Sequence, residues 1–269
     1  MTSALPPDLL RRVMLAVCVL DDLDIAIGDH SVTVENTIEM SWAEIELAIA
    51  PHSSDGDGAV RSARIWVRTR LRVIGWSAAQ QLARVRPVGL PVDHVLHPGA
   101  LWVRERVLGG SLDVGLGLRD TAADPEVVQV LDPPLLTYLG INVGAWWERA
   151  RTYREEMAQY GIERLARDPV STLRSVGDCD VPTLLSSRAF RHQIVQVDDS
   201  GMRSAAVPTR THGWLDLGRI DPAFAVAAAD AVSEEQRGFT RPLLITRDEV
   251  VQVPDGGDHR ILDSRGIDR

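Results

Sequence analysis

The chain has 269 residues, of which 45% are hydrophobic and 25% are charged. This composition excludes a disordered chain, a collagen and a coiled coil as descriptions of the whole protein. The 29 basic residues are outnumbered by 38 acidic ones, which gives a net charge of −9. An acidic protein lacks the positive field that attracts a phosphate backbone, so general nucleic-acid binding is disfavoured. A local basic stripe can still bind an anion.

All the basic residues are arginines, and the sequence contains no lysine. Schiff-base catalysis, a lysine general base and a phosphate-binding loop that depends on lysine are therefore excluded. Two explanations stay open: codon bias toward arginine, or selection against an amine that can be modified.

The cysteines and the N-terminal apolar run indicate a cytoplasmic protein without membrane association. Cys18 and Cys179 are too few for a disulfide-built secreted scaffold, so we expect both thiols to be reduced. The run Val13–Leu20 is far shorter than the ~20 residues of a membrane span. Aspartates follow it at once, without a small-residue cleavage site. We expect this run to be the buried part of a first helix.

The N-terminal half is predicted to be helical and irregular. A first helix begins after Pro7, and a hairpin is expected within residues 23–38 because β-branched residues flank a Gly-Asp turn. Ser41 and Glu44 have the spacing of a capping box, which predicts the start of a second helix. Residues 51–58 are typical of an exposed loop.

Residues 60–85 fit two patterns. Apolar side chains alternate with arginines as in a strand that has one arginine face, but a helical stripe is sustained over more of the segment. We favour a helix, since arginine has good helix propensity. A stretch rich in glycine and proline follows at residues 86–120.

The C-terminal half is predicted to combine a long helix with a small antiparallel sheet. The long helix runs from about Gly144 to before Asp168 and has a continuous apolar stripe. The later predicted elements are a hairpin of residues 193–197 and 202–207, a helix over about 221–232, and closing strands at 243–246 and 249–253.

These elements predict an α+β fold, since the strand–helix alternation of a doubly wound parallel sheet is not visible. Loop chemistry is densest between Asp120 and Pro134, which divides the chain into subdomains 1–122 and 134–254. Residues 255–269 are expected to form a flexible tail. One continuous domain is the alternative.

A glycine-rich segment between His97 and Gly117 is the candidate ligand site. Its glycines open the backbone to a ligand, its serine offers a hydroxyl, and its arginines suit phosphate or carboxylate. The candidate binding residues are His97, Arg104, Arg106, Gly109, Gly110, Ser111 and Asp113. The two arginines share a face only if they lie on a strand. The alternative is a structural turn that joins strands over 102–108 and 111–118.

The other clusters are weaker candidates for chemistry. Asp93, His94 and His97 lack the spacing of a metal site, so we expect no metal. Cys179 lies between aspartates, which disfavour a reactive thiolate. The chain has no GxSxG motif for an α/β-type serine hydrolase. Trp214 is a candidate interface anchor, since tryptophan is enriched at binding hot spots.

The sequence therefore favours a non-catalytic cytoplasmic protein that binds a partner protein or a small anionic ligand. The alternative is an enzyme acting on a phosphorylated or carboxylated small molecule at residues 97–117. A concave pocket with converging polar groups in that segment would favour the enzyme. The sequence indicates neither a cofactor nor an oligomeric state.

Overall fold

The computed structural model describes residues 6–50, 56–97, 102, 104–119, 128–131, 135–136, 139–167, 172–196, 199–216 and 222–253. Within them the fold is α+β, as predicted: helices are combined with small antiparallel sheets. The predicted tail at 255–269 lies outside the described residues. Most of the predicted boundary region at 120–134 also lies outside them.

The chain forms two units whose segments alternate along the sequence. Unit 1 consists of Met1–Arg86, Val95–Arg104 and Gly115–Ala150. Unit 2 consists of Pro87–His94, Glu105–Val114 and Arg151–Arg269. Several elements therefore contribute residues to both units.

Unit 1 begins with helices around a three-stranded antiparallel meander. Its elements are α1 (Pro7–Asp21), β1 (Ile25–Ile27), β2 (Ser31–Val34), β3 (Ile38–Ser41), α2 (Trp42–Ile49), α3 (Gly56–Ile74) and α4 (Ala78–Ala83). Ser41 and Glu44 form the predicted capping box at the start of α2. The ambiguous segment after residue 60 is helical, as favoured, because α3 buries one apolar face that includes Ala63 and Val67.

Helix α1 buries only one face of its apolar run. Val13, Met14 and Val17 are buried, whereas Val19 is 81% exposed. Leu15 and Leu20 are also exposed. The expectation that the whole run is buried was therefore wrong for its outer face. Helical periodicity divides the run between core and surface, since eight consecutive residues cover the full circumference of a helix.

The middle of the chain forms a second sheet. Its strands are β4 (Val85–Pro91), β5 (Arg104–Arg106), β6 (Leu112–Arg119) and β7 (Val128–Val130). The order is β4-β6-β5, and β7 pairs with β6. The long helix α5 (Val143–Arg167) follows, as predicted.

Unit 2 contains a five-stranded antiparallel sheet in the order β12-β11-β9-β10-β8. Its strands are β8 (Thr172–Arg174), β9 (Met202–Ala206), β10 (His212–Leu215), β11 (Leu243–Thr246) and β12 (Val250–Gln252). Its helices are α6 (Val181–Leu185), α7 (Arg188–Val195), α8 (Pro222–Asp230) and a 3-10 turn (Glu234–Gln236).

The core of unit 2 lies on one side of this sheet. Leu215 and Leu243 are buried there together with Phe190 and Ile194 of α7. Side chains alternate across a strand, so Trp214 points to the opposite, outer side of the sheet.

The predicted strand at 193–197 was wrong, because the chain is helical to Val195. Ser187 caps this helix by accepting a hydrogen bond from the N–H of Phe190. Phe190 and Ile194, four residues apart, lie on its buried face. The sequence prediction missed both the Ser187 cap and the helical spacing of Phe190 and Ile194, because it started the element at residue 193.

Cys18 and Cys179 are both buried and form no disulfide, as predicted. Burial raises the pKa of the Cys18 thiol, and the nearby negative charge of Asp21 acts in the same direction. None of the helices in the described part of the chain combines the length and the apolar character that a membrane span needs.

Candidate functional site

The two glycines of the candidate ligand segment form the turn between β5 and β6. The N–H of Gly110 donates to the carbonyl oxygen of Val107 at 3.2 Å. Both glycines have positive φ, 93° at Gly109 and 69° at Gly110. A Cβ at Gly109 would lie 2.7 Å from the carbonyl oxygen of Val250, whereas a Cβ at Gly110 would meet nothing within 4 Å. Gly109 is therefore required for packing against β12.

Arg106 and Asp113 pair with each other beside this turn. The Nε–Oδ1 distance is 2.9 Å and the Nη2–Oδ2 distance is 3.2 Å. Asp113 is fully buried, whereas 55% of the Arg106 side chain is exposed. The hydrogen bond with Asp113 raises the pKa of the Arg106 guanidinium. An added anion would have to compete with a buried carboxylate for the same two donors.

The remaining candidate residues also contact the protein itself. Ser111 is buried, and its hydroxyl oxygen accepts a hydrogen bond of 2.8 Å from the N–H of Gln252. Arg104 donates to the carbonyl oxygen of Trp102 at 3.2 Å. His97 is buried against Trp102, with ring centroids 5.4 Å apart in an edge arrangement. Five candidates are thus together in one turn of unit 2, whereas His97 and Arg104 belong to unit 1.

The residues considered for a metal site make structural contacts. The His94 Nε2 atom lies 2.9 Å from the carbonyl oxygen of Arg237. Asp93 accepts hydrogen bonds from Thr240 at 3.0 Å and from Gln252 at 3.4 Å. Throughout the described residues there is no group of three or more His, Cys, Asp or Glu side chains that could hold a metal ion.

A buried network connects β4, α6 and the segment before β10. Asp180 accepts the N–H of Thr183 at 2.9 Å and so caps α6. It also accepts hydrogen bonds from the Thr183 hydroxyl and from the Arg210 guanidinium. The Thr183 hydroxyl oxygen in turn accepts the N–H of Gly89 at 2.8 Å. These groups neutralise and hydrogen-bond one another inside unit 2, which indicates a structural role.

Arg191 is a second buried cation of unit 2. Burial, assisted by the positive charge of Arg154, lowers the pKa of Arg191 to about 10, so it stays charged at neutral pH. Its guanidinium donates to the carbonyl oxygens of Leu185 at 2.6 Å, Arg247 at 3.1 Å and Asp248 at 3.4 Å. It thereby ties the turn before α7 to the turn between β11 and β12.

Helix α8 is apolar on every side but is not buried. Its sequence is PAFAVAAAD, and no residue from 223 to 230 is buried. Phe224 is 54% exposed and Val226 is 60% exposed. A helix that is hydrophobic all round is normally found inside a core, so this exposed helix is a candidate interaction surface.

Trp214, on the outer side of the five-stranded sheet, contacts α8. Its indole meets the Phe224 ring edge to face, with centroids 5.2 Å apart and an interplanar angle of 77°. Trp214 is itself half-buried. Val226, two residues beyond Phe224, lies on a different side of the helix. We call the exposed sides of α8, together with Trp214, the α8 surface, and Phe224 and Val226 are its exposed apolar residues.

No known protein family, no curated protein and no solved structure matches this chain.

Acidic side chains are concentrated in the segments that adjoin the α8 surface. Asp230 ends α8, Glu234 and Glu235 lie in the 3-10 turn that follows, and Asp216 follows β10. The Asp230 side chain is 70% exposed. Two basic residues accompany them: Arg203 pairs with Asp216 at 2.8 and 2.9 Å, and Arg237 lies 3.9 Å from Asp230. With four acidic and two basic side chains among these described residues, the segments beside α8 form a rim that is negative by two charges.

Only part of this surface could be identified from the sequence. Trp214 was singled out as an interface anchor, and an alanine-rich helix was predicted over the right residues. Phe224 and Val226 were missed. The signal was present in the composition of the helix, since its first eight residues, 222–229, are all apolar and predict either full burial or a binding surface.

Proposed function

We propose that this protein is a non-catalytic, cytoplasmic binding protein whose α8 surface holds a partner protein. The partner segment carries apolar side chains flanked by basic residues. The observation that carries the proposal is the exposure of Phe224 and Val226 on a helix without a polar face. Exposed aromatic and aliphatic side chains on one helix that contacts a tryptophan have the composition of an interface centre.

The negative rim favours a basic partner over a second copy of this chain. In a symmetric dimer the same surface meets itself, so Asp230 and Glu235 would face their own counterparts. Like charges brought together at an interface disfavour the contact. A partner with arginine or lysine beside its apolar residues would instead be attracted to the rim.

A protein partner is also favoured over a small anion at the β5–β6 turn. There, Arg106 is engaged by Asp113, and Ser111 accepts a hydrogen bond from Gln252. Two of the groups that would recognise an anion, the Arg106 guanidinium and the Ser111 hydroxyl, are thus already used within unit 2. The same contacts weaken the case for an enzyme acting at residues 97–117.

The proposal is tested with a synthetic amphipathic peptide that has a leucine face flanked by arginines. Trp214 is the one tryptophan of unit 2, so 5-fluorotryptophan labelling places one 19F signal at the α8 surface and six in unit 1. We expect the peptide to shift the Trp214 signal. A control peptide with the same leucine face and glutamate flanks should bind about tenfold more weakly, because it faces the negative rim.

Matched variants of the protein locate the contact. Phe224→Ser with Val226→Ser should abolish the shift, whereas Leu15→Ser with Val19→Ser, which alters exposed apolar residues of unit 1, should leave it unchanged. Far-UV circular dichroism checks that both variants fold. Equal binding by the two peptides, or by the two variants, would contradict the proposal.

A further inference from the structure

A positively charged face runs along α3 in unit 1, away from the α8 surface in the sequence and in a different unit. The helix carries five arginines and one acidic residue, Asp57, although the whole chain is acidic. Arg61, Arg64 and Arg68 are spaced by three and four residues, which places them on one side of a helix. They span about 10 Å along the helix axis. We call these three residues the α3 stripe.

The α3 stripe is accessible to a partner. Arg61 is exposed, Arg64 has 37% of its side chain exposed and Arg68 has 52% exposed. The opposite side of the helix is buried, with Ala63 and Val67 in the core of unit 1. The stripe is therefore the outward face of a helix that its packing holds in place.

Two arginines of the α3 stripe bind a carboxylate of the chain itself. The carboxylate of Asp21, at the end of α1, accepts hydrogen bonds from Arg64 at 2.8 Å and from Arg68 at 2.6 and 2.8 Å. Burial acts to raise the pKa of Asp21, but the hydrogen bonds and charges of Arg68 and Arg64 outweigh it and hold the pKa below its usual value. The Asp21 side chain is only 7% exposed and lies beneath the two guanidinium groups. Two guanidinium groups share this one carboxylate, so the three side chains together carry a net charge of +1.

We infer that the α3 stripe binds an acidic segment of a partner protein through carboxylates that meet its guanidinium groups from the solvent side. Arginine pairs with carboxylates in a forked geometry, as Arg68 does with both oxygens of Asp21. A segment with two or three acidic residues matches the short length of the stripe. A nucleic acid or an anionic membrane extends well beyond the stripe. Its further negative charges would be repelled by a protein whose net charge is −9.

The test is a fluorescence anisotropy titration of the full-length protein with a short fluorescein-labelled polyglutamate peptide at low salt. We expect Arg61→Glu with Arg68→Glu to weaken binding by about tenfold or more, since two attractions become repulsions. Arg167→Glu with Arg241→Glu makes the same change of net charge at exposed positions of unit 2. This control should change the affinity by less than about twofold.

Arg61→Glu alone leaves the contacts of Arg64 and Arg68 with Asp21 in place, so it keeps the test valid if the double variant does not fold. It should weaken binding by about threefold. The inference is overturned if these variants bind the peptide as the wild type does. It is also overturned if a single-stranded oligonucleotide of equal charge, or phosphatidylserine vesicles, bind the stripe more tightly than the peptide. The Phe224→Ser and Val226→Ser variant should bind polyglutamate normally, so this outcome is independent of the proposed function.

Discussion

Replacing Asp180 with alanine is expected to lower the free energy of unfolding of unit 2 by about 3–5 kcal/mol. Asp180 is 1% exposed and pairs with Arg210, whose side chain is 3% exposed. The substitution removes the carboxylate and leaves the positive charge of Arg210 buried. It also removes the cap of α6, because Asp180 accepts the N–H of Thr183 at 2.9 Å. Urea unfolding followed by the 19F signal of 5-fluorotryptophan at position 214 measures the change.

An exposed ion pair of the same unit is the matched control. Arg188 and Asp248 are 2.8 Å apart, but their side chains are 63% and 51% exposed. Asp248→Ala should therefore cost less than about 1 kcal/mol, because water solvates both charges. A similarly small cost for Asp180→Ala would show that the buried network does not hold unit 2 together.

Replacing Gly89 with alanine is expected to lower the free energy of unfolding by about 3 kcal/mol. The added Cβ would lie 2.6 Å from the carbonyl carbon of Pro182 and from the backbone nitrogen of Thr183. These are main-chain atoms of α6, so no rotation of a side chain relieves the collision. Separation of β4 from α6 would also break the 2.8 Å hydrogen bond from Gly89 to the Thr183 hydroxyl.

Gly110→Ala is the control for this substitution. Gly110 lies in the same unit, and its added Cβ would meet nothing within 4 Å. Its φ of +69° strains an alanine, which costs about 1 kcal/mol. If Gly89→Ala unfolds at the same urea concentration as Gly110→Ala, the close packing of β4 on α6 is refuted.

The sequence predicted those elements whose signals are local. The capping box at Ser41 and Glu44, the apolar stripe of α5 and the Asp-Pro start of α8 each depend on a few neighbouring residues. The physical chemistry of these signals acts within one or two helical turns. The elements could therefore be placed without knowledge of the tertiary fold.

Elements decided by distant contacts were harder to predict. Residues 193–195 have side chains compatible with a strand, but burial of Phe190 and Ile194 against the five-stranded sheet makes them helical. The pairing of β9 with β11 joins residues about forty positions apart, and its register follows from the shared core. Neither fact is encoded in a short window of sequence.

The same limit applies to the candidate sites. The sequence indicated that Gly109, Ser111 and Arg106 are close together, and they are. It could not indicate that Gly109 packs on Val250 or that Arg106 pairs with Asp113, because these partners follow from strand pairing. The exposure of α8 could likewise not be predicted from the sequence, because its composition fits a buried helix as well as a binding surface.

Site-specific photo-cross-linking tests the proposed role of the α8 surface most directly. A benzoylphenylalanine is placed at position 226 of the full-length protein, and another at position 15, an exposed apolar position of unit 1, as the control. After irradiation in lysate of the source cells, mass spectrometry identifies the cross-linked peptides. The proposal predicts that position 226, and not position 15, is cross-linked to another protein at apolar residues flanked by arginine or lysine. Cross-links from position 226 to a second copy of this chain, to an acidic segment, or to nothing beyond the control would contradict it.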